Sequence, residues 1–343
     1  IRAEQDSQQR FDVDVIVDPG VITLTKGQQI GNAGNTGASG GPHLHFEIRD
    51  TKTQRPLNPQ LFGLRFADRF HPTINNIMVY DLNDDVFNEH TPRRALQVKA
   101  IRNGIYTLAS NTPIQVNGRF GLGINSIDRH RAGGFRNGVY SIELFIDGEA
   151  VSTVVFEELD FNTSRSIHAY IDYPHWRKTK AKVQKSFKDP GNPIDIFKVL
   201  KNEGVITLPD DKIYDAKYVV KDIAGNCSEL NFKIRNNPTT QPVQQKRRGV
   251  QLFTYNTENS FEKNDIEINM SKGVLYGDLD FEYSTAPQPV GGYSPVHRVH
   301  NNLTPLFSTY NLRIKPTNLP IHLESKALLA SVENGSEGGK FED

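Results

Sequence analysis

The sequence has little cysteine and no long apolar run. Cys227 is the one cysteine among 343 residues. A single cysteine can form neither an internal disulfide nor, alone, a structural zinc site. We therefore expect Cys227 to be a small buried residue in a strand. No stretch approaches the ~20 consecutive apolar residues that a membrane-spanning helix needs, so the sequence predicts no transmembrane segment.

An excess of charge of one sign is also missing. The chain has 40 Lys and Arg against 40 Asp and Glu. No global field therefore favours nucleic acid or an anionic membrane surface, and nucleic acid is not an expected partner. The short basic cluster at residues 246–248 is typical of a solvated linker.

The composition favours turns over helices. Hydrophobic residues make up 36% of the chain, and 27 Gly and 19 Pro are spread along it. This mixture is typical of all-β modules with many turns. No signal peptide precedes the first module and Ile1 is not a methionine, so we expect the chain to begin inside a longer protein.

Alternating apolar and polar residues predict strands along most of the chain. Residues 11–17, 21–25 and 43–49 are predicted strands of a first small module. Asp147-Gly148 and the turn at Gly225 predict two hairpins, and the spacing over 192–202 predicts a helix. The expected organisation is a small β-sheet module over 1–66, an immunoglobulin-like β-sandwich with an insertion over 68–237, a linker over 238–249, and a third β-rich module, expected to be truncated, over 250–343.

The residues with the clearest chemical potential are His43 and His45, which are one position apart on a predicted strand. Side chains alternate across a strand, so both imidazoles lie on one face, with Cα atoms ~6.5–7 Å apart. That separation lets one ring bind a metal while the other reaches the metal's water or a substrate. Leu44, Phe46 and Ile48 are expected to anchor the opposite face in a core.

A glycine-rich run, GNAGNTGASGGP, fills residues 31–42 immediately before these histidines. Glycine permits sharp turns and close approach of the backbone to a ligand, and Pro42 restricts the backbone next to the histidine strand. The residues expected to form a substrate loop are Gly34, Gly37, Ser39, Gly40 and Gly41.

Residues 31–47, GNAGNTGASGGPHLHFE, resemble the lysostaphin/LytM-like peptidoglycan endopeptidases. The signature of that family is a glycine-rich loop followed by Ser-x-Gly-Pro-His-Leu-His-Phe-Glu. Arg49 and the segment at 57–59 also fit the family. The resemblance covers residues 27–62, and it indicates that 1–66 is the C-terminal half of a LytM-like domain.

The resemblance implies a zinc (Zn2+) endopeptidase that hydrolyses the peptide cross-links of bacterial peptidoglycan. By position, His45 corresponds to a zinc ligand, and His43 corresponds to the catalytic histidine that assists the zinc-bound water. The implied location is the cell envelope, periplasmic or extracellular, with peptidoglycan peptides as substrate and envelope proteins as possible partners of the sandwich modules.

The sequence departs from the family in one respect. The family's other ligands, a His and an Asp, and a further catalytic histidine belong to upstream motifs that this sequence does not contain. His168 and Asp172 match the His-x-x-x-Asp spacing, but on a strand they would be ~13 Å apart and could not share an ion. His297 and His300 are expected to be exposed loop histidines. We therefore expect the fragment alone to be inactive, and the activity to belong to the parent protein.

Two other interpretations stay open. In one, the protein is a non-catalytic LytM-like regulator of other wall hydrolases, although that role would need neither His43 nor His45. In the other, it is mainly an envelope adhesion or scaffold protein, because most of the chain is predicted β-sandwich.

Overall fold

The structure is a computed structural model that describes residues 2–10, 17–18, 20–35, 40–64, 66–84, 86–131, 134–238, 246, 248–332 and 340–341. The chain divides into two compact units, Ile1–Glu47 and Ile48–Asp343. Strands far outnumber helices, which confirms the predicted all-β class. Within the described ranges, no helix has the length and apolar character required to cross a membrane.

The first unit contains one helix, α1 (Arg2–Gln8). The predicted strand over 21–25 is wrong, because these residues have no strand pairing and Val21, Ile22 and Leu24 are exposed. A strand is stable only when a neighbour accepts its backbone hydrogen bonds, and none does so at 21–25 within the described part of this unit. Residues 11–16 of the other predicted strand lie outside the described residues.

The second unit opens with a short antiparallel pair, β1 (Ile48–Arg49) and β2 (Pro56–Leu57). A 3-10 helix, Pro59–Phe62, follows, and the side chain of Asn58 caps it by accepting a hydrogen bond from the Gln60 backbone. Hydrogen bonds of both backbone and side chains attach this segment to residues 157–160. The Asn58 N–H donates to the Glu157 carbonyl at 2.7 Å.

A β-sandwich occupies the centre of the second unit. Its strands are β3 (Thr73–Asp81), β4 (Arg93–Arg102), β5 (Ile105–Leu108), β6 (Ile114–Val116), β7 (Arg119–Ile127), β8 (Ser141–Ile146), β9 (Glu149–Val155), β10 (Gln184–Lys185), β11 (Phe197–Leu200), β12 (Ile206–Thr207), β13 (Ile213–Lys221) and β14 (Cys227–Asn236). Between β9 and β10 lie a 3-10 helix, Phe161–Ser166, and two short helices, α2 (Ile167–Tyr170) and α3 (Tyr173–Thr179).

Strand β4 connects the two layers of the sandwich. Its first half, residues 93–97, pairs with β3, and its second half, 98–102, pairs with β5. The layer beyond β3 continues to β7 and β10, and the layer beyond β5 continues through β14, β13, β8, β9 and β11. One buried cluster contains residues of both layers, for example Ile77 and Leu122 from one and Leu144 and Tyr218 from the other. Burial of each large side chain contributes ~1.5–3 kcal/mol.

Both predicted hairpins are confirmed. Strands β8 and β9 meet at Asp147-Gly148, where both residues have positive φ, 47° and 81°. Two successive positive φ values define the type I′ turn, whose twist suits a two-residue hairpin loop. Strands β13 and β14 pair without a register shift around Gly225. Cys227 begins β14 and is half-buried.

The predicted helix over 192–202 is wrong. The structure has strand β11 there, followed by a 3-10 helix, Lys201–Gly204, and β11 pairs with β9. Ile194 and Ile196 are buried at 6% and 2% exposure. Both residues lie just before β11, and their two-residue period is typical of extended chain rather than of a helix. The edge of β9 provides the hydrogen-bond partner of β11.

Residues 250–332 and 340–341 contain further short strands. They are β15 (Gln251–Phe253), β16 (Asn259–Lys263), β17 (Ile266–Met270), β18 (Leu279–Phe281), β19 (Tyr283–Ala286), β20 (Val296–Val299), β21 (Asn311–Ile314), β22 (Ala330–Ser331) and β23 (Lys340–Phe341). A separate core forms around Phe253 and Phe281, whose rings stack with centroids 4.4 Å apart. A 3-10 helix, Ile321–Lys326, lies between β21 and β22.

Candidate functional site

His43 lies next to the glycine-rich run in space as well as in sequence. It forms an isolated antiparallel bridge with Gly34, which brings the loop back against the histidine segment. The Nδ1 atom of His43 is 2.8 Å from the Gly41 carbonyl oxygen. A carbonyl can only accept, so Nδ1 carries the proton, and in the neutral ring Nε2 carries the lone pair.

His45 contacts a carboxylate of its own segment. Its Nε2 atom is 2.7 Å from Glu47 Oε1, and the His45 side chain is 69% exposed. Histidines that bind metals commonly donate their second ring N–H to a carboxylate, which fixes the ring and raises its basicity. If Nε2 donates to Glu47, Nδ1 is the ring nitrogen available for a metal.

A complete zinc centre needs three protein ligands and an open position. Within the described ranges, the one group of three His, Cys, Asp or Glu residues close enough to share an ion does not include His43 or His45. The described residues therefore supply His45 with a carboxylate partner but do not by themselves complete a zinc site around it.

The predicted anchoring of the opposite face is wrong for two residues. Leu44 is 79% exposed and Phe46 is 59% exposed. Residues 44–47 have no strand pairing in the structure, so no layer of described residues covers that face. Of the expected substrate loop, Gly34, Gly40 and Gly41 are described, whereas Gly37 and Ser39 lie outside the described residues.

The alternative pair His168 and Asp172 does not form a metal site. His168 belongs to helix α2, not to a strand, and its ring stacks on Trp176 with centroids 5.9 Å apart. Asp172 is fully buried and accepts hydrogen bonds from Tyr80 and Arg93. Its carboxylate is thus already part of a structural network.

The expectation that His297 and His300 are exposed is wrong, and of the two only His300 lies in a loop, directly after β20. His297 belongs to β20, its side chain is 2% exposed, and its Nδ1 contacts the Tyr283 hydroxyl at 2.9 Å. His300 Nδ1 accepts from the Glu282 backbone N–H at 3.2 Å. Both histidines are part of the packing of the 250–332 region.

The structure brings Asp68, Asp128 and His130 together in a cluster that the sequence patterns did not predict. Their ligand atoms lie within 4.8 Å of one another. Burial raises the pKa of Asp128 to about 6, and the negative charges of Asp222 and Asp68 act in the same direction. Asp68 is 60 or more positions from the other two, so no local spacing signals the cluster.

Two families match parts of the chain. Residues 16–59 match peptidase family M23, and residues 250–343 match the Zu5-like domain. The first match contains the glycine-rich run and both histidines, and the second covers the region of the expected third module. No curated protein and no solved structure matches the chain.

Proposed function

We propose that this chain contributes the His43–His45 segment of a zinc-dependent endopeptidase that hydrolyses the peptide cross-links of bacterial peptidoglycan. The match of residues 16–59 to peptidase family M23 carries the proposal. The contact between His45 and Glu47 supports it, because a carboxylate partner is what a zinc-binding histidine commonly has.

In this proposal the two histidines have different roles. His45 is a zinc ligand, and the remaining ligands come from outside the described residues. His43 is the histidine beside the reacting carbonyl, and its Nδ1 contact with Gly41 orients the Nε2 lone pair. A bound zinc ion would supply Lewis acidity and a water whose pKa is lowered to ~7. The proposed location is the cell envelope, with the sandwich regions as contacts to wall or envelope proteins.

The test measures zinc content and release of muropeptides from purified peptidoglycan by the full-length product of the gene. We expect His45→Ala to lose about one equivalent of zinc and all cleavage, because a ligand is gone. His43→Ala is expected to keep that zinc and to lose cleavage by about 10²–10⁴-fold, the usual contribution of a proton-transfer group. His322→Ala is the matched control, since His322 is exposed and far along the chain.

A non-catalytic regulator is the second candidate. The regulator interpretation would replace the enzyme interpretation if the folded full-length protein cuts no peptidoglycan and if His45→Ala leaves its zinc content unchanged. Stimulation of a separate wall hydrolase by that protein would then identify the role.

A further inference from the structure

Three side chains from distant parts of the chain converge at one end of the β-sandwich. Asp68 lies in the segment that leads into β3, and Asp128 and His130 follow the end of β7. One ligand atom from each of the three lies within 4.8 Å of the other two. This spacing is suited to a single ion, because zinc binds nitrogen and oxygen ligands at ~2.0–2.2 Å.

Asp68 and His130 already face each other. Asp68 Oδ2 lies 2.8 Å from His130 Nδ1, and the Asp68 side chain is 2% exposed while that of His130 is 31% exposed. The other Asp68 oxygen accepts from the Phe70 backbone N–H at 2.8 Å. The Asp68 carboxylate is therefore fixed in place, and the ring of His130 reaches it from the partly open side.

Asp128 provides an independent observation. Its backbone is held by two hydrogen bonds with Asn137, of 3.0 and 2.9 Å, and the residue is 3% exposed. Its Oδ1 atom has no hydrogen-bond partner among the described residues. Leaving a buried acceptor unsatisfied is costly, and such a group in a native structure calls for an explanation such as an ion.

The surroundings carry an excess of negative charge. Asp222, in the turn between β13 and β14, is a third buried carboxylate close enough to act on Asp128. Asp222 itself is bound by Asn226, through the backbone N–H at 2.8 Å and the side-chain amide at 2.6 Å. Within the described ranges, His130 is the one basic side chain that pairs with any of Asp68, Asp128 and Asp222, and it is charged only when protonated. A cation would balance this charge.

There is room beside the cluster for water to complete a coordination shell. A pocket of about 220 Å³ opens next to it, and Asp128 and His130 belong to its lining. Asn58, Gln60 and Tyr140 also line this pocket. A space of this volume is large enough to hold several waters.

We infer that Asp68, Asp128 and His130 bind a zinc ion, separate from the proposed peptidase centre at His45. Two carboxylates and one imidazole fit zinc, whereas calcium and magnesium prefer ligand sets made of oxygen alone. The ion would tie the segment leading into β3 to the end of β7. It would also give the orphaned Asp128 oxygen a partner.

The test measures zinc binding to the full chain by equilibrium dialysis with metal analysis, in a His45→Ala background that removes the other proposed ligand. We expect one equivalent of zinc to remain bound. Adding Asp128→Asn or His130→Gln is expected to weaken that binding by at least about 100-fold, more than loss of an outer-shell partner costs. Adding Asp211→Asn, an exposed aspartate paired with Arg235, should leave it unchanged.

Circular dichroism and thermal unfolding establish whether each variant is folded. If Asp128→Asn or His130→Gln does not fold, Asp68→Asn takes its place as a ligand variant. Cobalt substitution gives a second readout, since visible absorption of the bound ion should vanish in Asp128→Asn. Equal zinc affinity in folded Asp128→Asn and His130→Gln overturns the inference, as does tighter binding of calcium or magnesium than of zinc. Because the background lacks His45, neither result depends on the peptidase proposal.

Discussion

The guanidinium of Arg93 lies 2.6 Å from Oδ1 of Asp172, a side chain that is completely buried in the second unit. Tyr80 donates to the other oxygen of that carboxylate at 3.0 Å, and the His175 N–H at the start of α3 donates to Oδ1 at 3.1 Å. The carboxylate therefore joins β3, β4 and the helical insertion.

Removing the cation from this network should be strongly destabilising. We expect Arg93→Met to lower the free energy of unfolding by about 3–5 kcal/mol, because a buried carboxylate loses its counter-ion. Tyr80→Phe removes one hydrogen bond and should cost about 0.5–1.5 kcal/mol. Urea unfolding of the three proteins measures both, and equal losses for the two variants would contradict the charge argument.

Gly204 is expected to tolerate no side chain. Its φ is +76°, and a Cβ atom there would lie 2.1 Å from the Ser186 carbonyl oxygen and 2.5 Å from Phe187 Cα. These are backbone atoms that cannot rotate away. Gly204→Ala should cost about 3 kcal/mol in unfolding free energy from overlap and left-handed strain together.

Gly225 provides the matched control, because its φ of +96° is also positive but no atom lies within 4 Å of the added Cβ. Gly225→Ala should cost about 1–2 kcal/mol from conformation alone. A loss in Gly204→Ala no larger than that in Gly225→Ala would show that the backbone around residue 204 relaxes.

The region 250–332 should lose stability in acid through His300. Burial lowers the pKa of His300, whose Nδ1 accepts from Glu282 and whose Nε2 contacts the Thr304 hydroxyl at 3.0 Å. The unfolded chain binds a proton at this histidine more tightly than the folded chain does, so protonation favours unfolding. The stability that neutral His300 contributes is therefore fully present above pH ~6.5, and it is lost as the pH falls through the lowered native pKa.

Thermal unfolding between pH 8 and pH 5 measures this dependence. His300→Gln keeps polar atoms at the ring position but does not titrate, so its melting temperature should fall less steeply than that of the wild type. His322→Gln, at an exposed position, should keep the wild-type slope. Parallel pH profiles for His300→Gln and the wild type would exclude His300 as the titrating group.

The two cores of the second unit should unfold separately. Leu144 and Ile268 are each fully buried, the first in the sandwich core and the second in the core around Phe253. Leu144→Ala and Ile268→Ala should each cost about 2–5 kcal/mol. Calorimetry is expected to show that each variant lowers a different transition, and an equal shift of one common transition would contradict separate modules.

Local patterns predicted some elements well because their chemistry is local. Asp147 and Gly148 both adopt the positive φ that a two-residue hairpin turn requires, so these two adjacent residues are enough to predict the hairpin. The helix expected over 192–202 failed because the edge of β9 provides a partner that no window of sequence contains. Leu44 and Phe46 alternate as a half-buried strand does, yet no described layer covers them.

The sequence by itself determined the all-β class, the two hairpins and the His43–His45 segment, since each rests on alternation, turn residues or a contiguous motif. The tertiary structure alone decided that Asp68 meets His130 across 62 positions, and that Arg93 neutralises Asp172 across 79. Such contacts depend on which strands pair and how β4 passes between layers. That outcome is set by the packing of the whole sheet, so it leaves no signal in the spacing of neighbouring residues.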